Sequence, residues 1–102
     1  RLREGMIISN EPGLYHAGQY GIRIENLVVN QIKPFDDPNY GEFLEFETLT
    51  LCPIHLDPID LTLLDDSEKN WLNQYHHMVF EKLAPSLNGD VLAWLTHNTR
   101  AI

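Results

Sequence analysis

At Asp65 the chain changes period, and that change constrains the fold more than any other feature of the sequence. Before it, apolar residues come in short runs interrupted by Pro and Gly; after it, they recur three and four residues apart. Alternation with period two belongs to strands, and recurrence near 3.6 belongs to helices. Residues 6–10 read as a short strand, ended by Pro12 and Gly13, because Pro lacks an amide donor and Gly tolerates positive φ. A turn-rich loop at 16–21 leads into a strand over 22–30, with Ile22, Ile24 and Val28 on one side and Arg23, Glu25 and Leu27 on the other. Residues 33–41 form a loop by their Pro, Asp, Asn and Gly content. A third strand follows over 43–51, alternating Leu44 and Phe46 with Glu45 and Glu47 before it turns apolar. Pro53 and Pro58 keep residues 55–60 irregular.

Beyond that point Asp65, Asp66 and Ser67 offer helix N-caps, and Glu68 stands three residues after Asp65, where its charge suits a helix start. Trp71, Leu72, Tyr75, Val79 and Leu83 mark the inward face, and Pro85 ends the helix. Asn88-Gly89-Asp90 then introduces a second, shorter helix through Trp94 and Leu95. Strands first and helices last make an α+β chain.

The 102 residues suit one domain or a piece of one, and 43% hydrophobic content is that of a folded chain. A formal charge of −8 excludes binding through nucleic-acid phosphates and disfavours anionic lipid. No apolar run nears the roughly 20 residues of a membrane helix. Cys52 has no second cysteine to pair with, which suggests a cytoplasmic protein, and its apolar neighbours suggest a buried, inert thiol. The chain opens on Arg1, without a signal-peptide pattern, so an internal cut or a C-terminal portion is expected.

Two carboxylates carry the chemistry. Glu11 lies in Asn10-Glu11-Pro12-Gly13-Leu14-Tyr15, and Glu25 in Gly21-Ile22-Arg23-Ile24-Glu25-Asn26. If the flanking runs pair antiparallel, both can reach one divalent metal. Each also has an ordinary explanation, Glu11 as a turn carboxylate capping backbone amides and Glu25 as an ion-pair partner of Arg23. Other residues are weaker candidates. His76 and His77 point about 100° apart on a helix and read as surface residues. Trp71, Tyr75 and Trp94 read as core or subunit-interface aromatics, and Glu45 with Glu47 as a solvated strand face.

These two strings together, followed by Phe43-Leu44-Glu45-Phe46-Glu47-Thr48-Leu49-Thr50-Leu51-Cys52-Pro53-Ile54 and Trp71-Leu72-Asn73-Gln74-Tyr75-His76, strongly resemble the end of the pita-bread metallopeptidase fold. That group includes methionine aminopeptidases, prolidases and aminopeptidase P. The downstream part, with Ile59-Asp60 and Trp94-Leu95, looks like the C-terminal extension of the long Xaa-Pro aminopeptidases. The resemblance implies a dinuclear site, usually manganese, built from two Asp, one His and two Glu. Glu11 matches the first Glu ligand, which also handles the proton of the attacking water, and Glu25 matches the bridging one. Arg23 and Tyr15 match positions that orient those ligands. Carboxylate oxygens suit Mn²⁺.

The implied reaction is hydrolysis of the bond between an N-terminal residue and a following proline. The implied partners are peptides with proline second, the upstream part of the same catalytic domain, and a second copy in a homodimer. By this resemblance 1–53 are the last strands of the catalytic domain and 54–102 a helical extension. The family's Asp and His ligands precede Arg1, and Asp36, Asp37, Asp57 and His55 stand in the wrong contexts to replace them. Alone, the chain is therefore expected to be inactive, to bind Mn²⁺ weakly, and to be marginally stable or self-associating. A prolidase and a catalytically dead, peptide- or protein-binding relative are the rival readings. The long extension disfavours the first, and the retained glutamates disfavour the second.

Overall fold

The computed structural model describes residues 1–34 and 39–102. Of the loop expected at 33–41, residues 35–38, with Asp36 and Asp37, fall outside the described residues, and Lys33 is the last residue of a strand. The chain forms two compact units, Arg1–Thr50 and Leu51–Ile102.

Among its described residues the first unit holds five strands: β1 (Ile7–Asn10), β2 (Gly13–His16), β3 (Tyr20–Arg23), β4 (Asn26–Lys33) and β5 (Phe43–Thr48). They make a three-stranded antiparallel sheet in the order β1-β4-β5 and a two-stranded hairpin of β2 and β3. The hairpin turns on Gly18, whose φ of 70° meets the positive-φ requirement of a turn closed by the Gln19 amide on the His16 carbonyl, 3.0 Å. One expectation is corrected here. The strand expected over 22–30 is two strands belonging to different sheets, β3 paired with β2 and β4 with β1 and β5. The chain leaves one sheet for the other at Ile24 and Glu25, just as it does at Glu11 and Pro12 on the opposing run. A uniform apolar pattern does not reveal which partner each half will find.

β4 is the central strand, and its buried positions are Asn26, Val28 and Asn30. Asn30 is 2% exposed and ties down the chain ahead of β1: its side-chain amide donates to the Arg3 carbonyl at 3.3 Å, and its backbone carbonyl accepts from Gly5 at 2.9 Å. On β5, Glu45 pairs with Lys33 at 3.3 Å and Glu47 accepts from the neutral Gln31 amide, so both carboxylates are engaged on an exposed face.

The second unit begins with irregular chain and continues into α1 (Asp66–Leu83), a short 3₁₀ turn (Ala84–Ser86) and α2 (Gly89–Asn98). Asp65 caps α1 with a full capping box: its carboxylate accepts from the Glu68 amide at 2.8 Å, and Glu68 accepts from the Asp65 amide at 2.9 Å. The core joins Tyr75 and Val79 of α1 to Leu95 of α2, with Leu51, Ile54 and Leu87 packed against it. Three assignments change. Trp71, expected on the inward face, is 52% exposed and stacked on the Tyr75 ring at 5.6 Å; Trp94, at 56% exposed, lies outside the core, which leaves the interface alternative for it. Cys52 is exposed, because Leu51 and Ile54 occupy the core positions of that segment. His76, expected on the surface, is completely buried, whereas His77 is exposed.

Candidate metal centre

Glu11 and Glu25 occupy equivalent places in the first unit. Each sits in a two-residue junction where the chain passes between the three-stranded sheet and the hairpin. The last pair of β1 and β4 is Asn10 with Asn26, and the first pair of β2 and β3 is Gly13 with Arg23. Antiparallel register therefore sets the two junctions side by side. The Ile24 amide donates to the Pro12 carbonyl at 3.2 Å and holds them together.

Arg23, at the end of β3, fills the space between the carboxylates. Its Nη1 lies 3.4 Å from Glu11 Oε2 and its Nη2 lies 3.0 Å from Glu25 Oε2. The three side chains are each 41–49% exposed. Ion pairs so open to water contribute about 0–1 kcal/mol each, so their convergence is not what holds the fold. Ser9 completes the group: its hydroxyl donates to Glu11 Oε1 at 2.8 Å. Ser9 was not picked out in the sequence, though it stands only two residues before Glu11, near the end of β1.

Tyr15 behaves differently. It is 64% exposed and lies over Gly13 and Gly21, where a Cβ would come within 2.6 Å of its ring or hydroxyl. Tyr15 lies opposite Gly21 in the hairpin register, so the two glycines make room for the ring. No hydrogen bond joins Tyr15 to either glutamate among the described residues.

The donor set fits a hard or borderline dication in part. Two carboxylates turned toward one positive group offer oxygen donors and the negative charge that such an ion needs. Among the described residues no third His, Cys, Asp or Glu joins them to make a complete metal-binding group. His55 and Asp57, 3.2 Å apart, belong to the second unit and pair with each other.

Residues 1–31 match metallopeptidase family M24, and residues 42–102 match the C-terminal region of peptidase M24. A probable Xaa-Pro aminopeptidase P of Coprinopsis cinerea is 47% identical over 99% of this chain. Aminopeptidase P2 of Arabidopsis thaliana is 46% identical, again over 99% of the chain. Among solved structures, the X-prolyl aminopeptidase of Caenorhabditis elegans, a cytosolic enzyme with a di-nuclear active site, matches with a TM-score of 0.84 and 36% identity over 99% of the chain. The chain belongs to metallopeptidase family M24. More narrowly, it is similar to the C-terminal part of the Xaa-Pro aminopeptidases, and its antiparallel strands followed by helices are that portion of the pita-bread fold. It spans 17% of the length of the Coprinopsis protein, 14% of the Arabidopsis one and 17% of the solved chain.

Proposed function

We propose that this chain is the C-terminal part of a metal-dependent Xaa-Pro aminopeptidase, acting on peptides whose second residue is proline. The observation that carries the reading is the meeting of Glu11 and Glu25 on Arg23, in a chain 46–47% identical to aminopeptidases P. Glu11 and Glu25 would be the residues of this chain that hold the metal, Mn²⁺ in this reading. When bound, the metal supplies Lewis acidity at the scissile carbonyl and an activated water.

The chain's own residues then have distinct tasks. Ser9 engages Glu11 Oε1 and fixes the carboxylate plane, which leaves Oε2, with its longer 3.4 Å contact to Arg23, to take the proton of the attacking water. Arg23 holds both carboxylates in register and limits their mutual repulsion. Tyr15, exposed beside the hairpin, would act as an orienting neighbour. In the same reading, residues 1–53 close the catalytic domain and 54–102 form a helical extension. The protein is cytoplasmic and works as a homodimer, its exposed Trp71 and Trp94 suiting a subunit interface.

Calorimetric titration with Mn²⁺ tests the ligand assignment. The chain should bind weakly, and Glu11→Ala and Glu25→Ala should each abolish that binding. Tight binding that survives both substitutions would overturn it. In the complete protein, both variants should lose hydrolysis of a peptide with proline second; undiminished turnover in either would exclude the role given to that glutamate.

A further inference from the structure

Pro53 has no amide hydrogen, so the carbonyl before it and the amide after it must find partners outside regular pairing. Both partners come from adjacent residues of α1. Tyr75 donates its hydroxyl to the Cys52 carbonyl at 2.9 Å, and the Ile54 amide donates to Nε2 of His76 at 3.0 Å. Leu51 and Ile54 lay their side chains on the core beside Tyr75 and Val79. Residues 51–54 are thus strapped to the helix by two hydrogen bonds and two apolar contacts.

The bond to His76 fixes the state of the ring. Nε2 accepts, so it carries no proton, and the single imidazole hydrogen is on Nδ1. The side chain is fully buried, and among the described residues Nδ1 makes no hydrogen bond of normal geometry, with the Arg100 backbone nearby. A second proton would turn the acceptor Nε2 into a donor facing the Ile54 N–H, inside a fully buried site. We propose that residues 51–54 are an acid-releasable strap on α1, with His76 as its trigger.

Burial, more than any neighbouring charge, favours the neutral, closed form. Burial holds His76 below its ordinary value of 6.5, with part of that offset by the Arg100 and Ile54 backbones, and the Arg100 charge lowers it further. Within the strap none of residues 51–54 is charged, and the Cys52 thiol is exposed. On α1 the neighbours are Tyr75, its ring 6.0 Å away, and the exposed His77. Arg100 is itself engaged by the His97 carbonyl at 2.8 Å and by Asp57 at 3.9 Å, and Asp57 also pairs with the exposed His55. No ion pair to His76 forms among the described residues.

Hydrogen exchange at the Ile54 amide, followed by NMR from about pH 7.5 to about pH 5 and corrected for intrinsic exchange, reads the strap directly. Above 6.5 the opening constant should be flat. Below it the released ring binds the proton that the closed one refuses, so opening should rise by up to about tenfold per pH unit. His76→Gln keeps an acceptor for the Ile54 amide and cannot titrate there, so its exchange should stay flat throughout. A flat profile in the unsubstituted chain overturns the proposal, as does an equal rise in the Gln variant. Should that variant not fold, the His76 ring signals in the unsubstituted chain decide: titration below 6.5 supports the strap, and titration at or above 6.5 overturns it.

Discussion

Arg23 touches both candidate ligands, yet its two ion pairs are open to water, and that combination separates its functional weight from its structural one. Arg23→Met should leave thermal stability nearly unchanged, within about 1 kcal/mol. It should weaken Mn²⁺ binding by roughly 10–100-fold, the range seen when groups behind metal ligands are removed. Equal affinity in the variant, measured by calorimetry, would show that the guanidinium is only a surface ion-pair partner. The local string already showed Arg23 and Glu25 two residues apart on a strand. It did not show that Glu11, twelve residues earlier, shares the same cation, because that contact depends on the hairpin register. His76 teaches the converse. Leu72, Tyr75, His76 and Val79 follow the i, i+3, i+4, i+7 pattern, so the helical period alone assigns the ring to the buried face. Treating it as a surface histidine gave residue type more weight than position.

Among the elements, α1 is the most legible, since Asp65 and Glu68 fix its start and Pro85 follows its end. The Asp65 carboxyl is held below its ordinary 3.8, first by the Glu68 amide and then by the Ser67 hydroxyl. The sign follows from linkage: the folded carboxylate keeps its charge to lower pH than the unfolded one. Its stabilisation is complete above 3.8 and is lost as pH falls through the lowered value. Asp65→Ala should therefore lower the melting temperature at pH 7 and flatten its acid limb below about pH 4, which circular dichroism melts will register. Leu95 of α2 is 1% exposed in the core. Leu95→Ala should cost about 2–5 kcal/mol in a denaturant titration, and a loss under 1 kcal/mol would mean that the two helices do not share that core.

Across the whole molecule, the apolar side chains left open in the first unit stand out. Ile7, Leu14, Ile22 and Phe46 are 48–60% exposed, and β1 and β5 are both sheet edges. Exposed edges and apolar surface invite further pairing. Sedimentation velocity should show this chain self-associating as its concentration rises, and a monomer at every concentration would contradict the expectation. None of the helices in the described residues is long and apolar enough to cross a membrane.

The sequence alone determined that strands precede helices and how α1 is capped, because period and capping are properties of neighbouring residues. Tertiary structure decided where the run over 22–30 divides, that Ser9 and Arg23 meet Glu11, and that the Ile54 amide rests on His76. Those features depend on which distant segments pair and in what register. A backbone amide finds a side chain 22 positions away only once hydrophobic packing has brought the segments together.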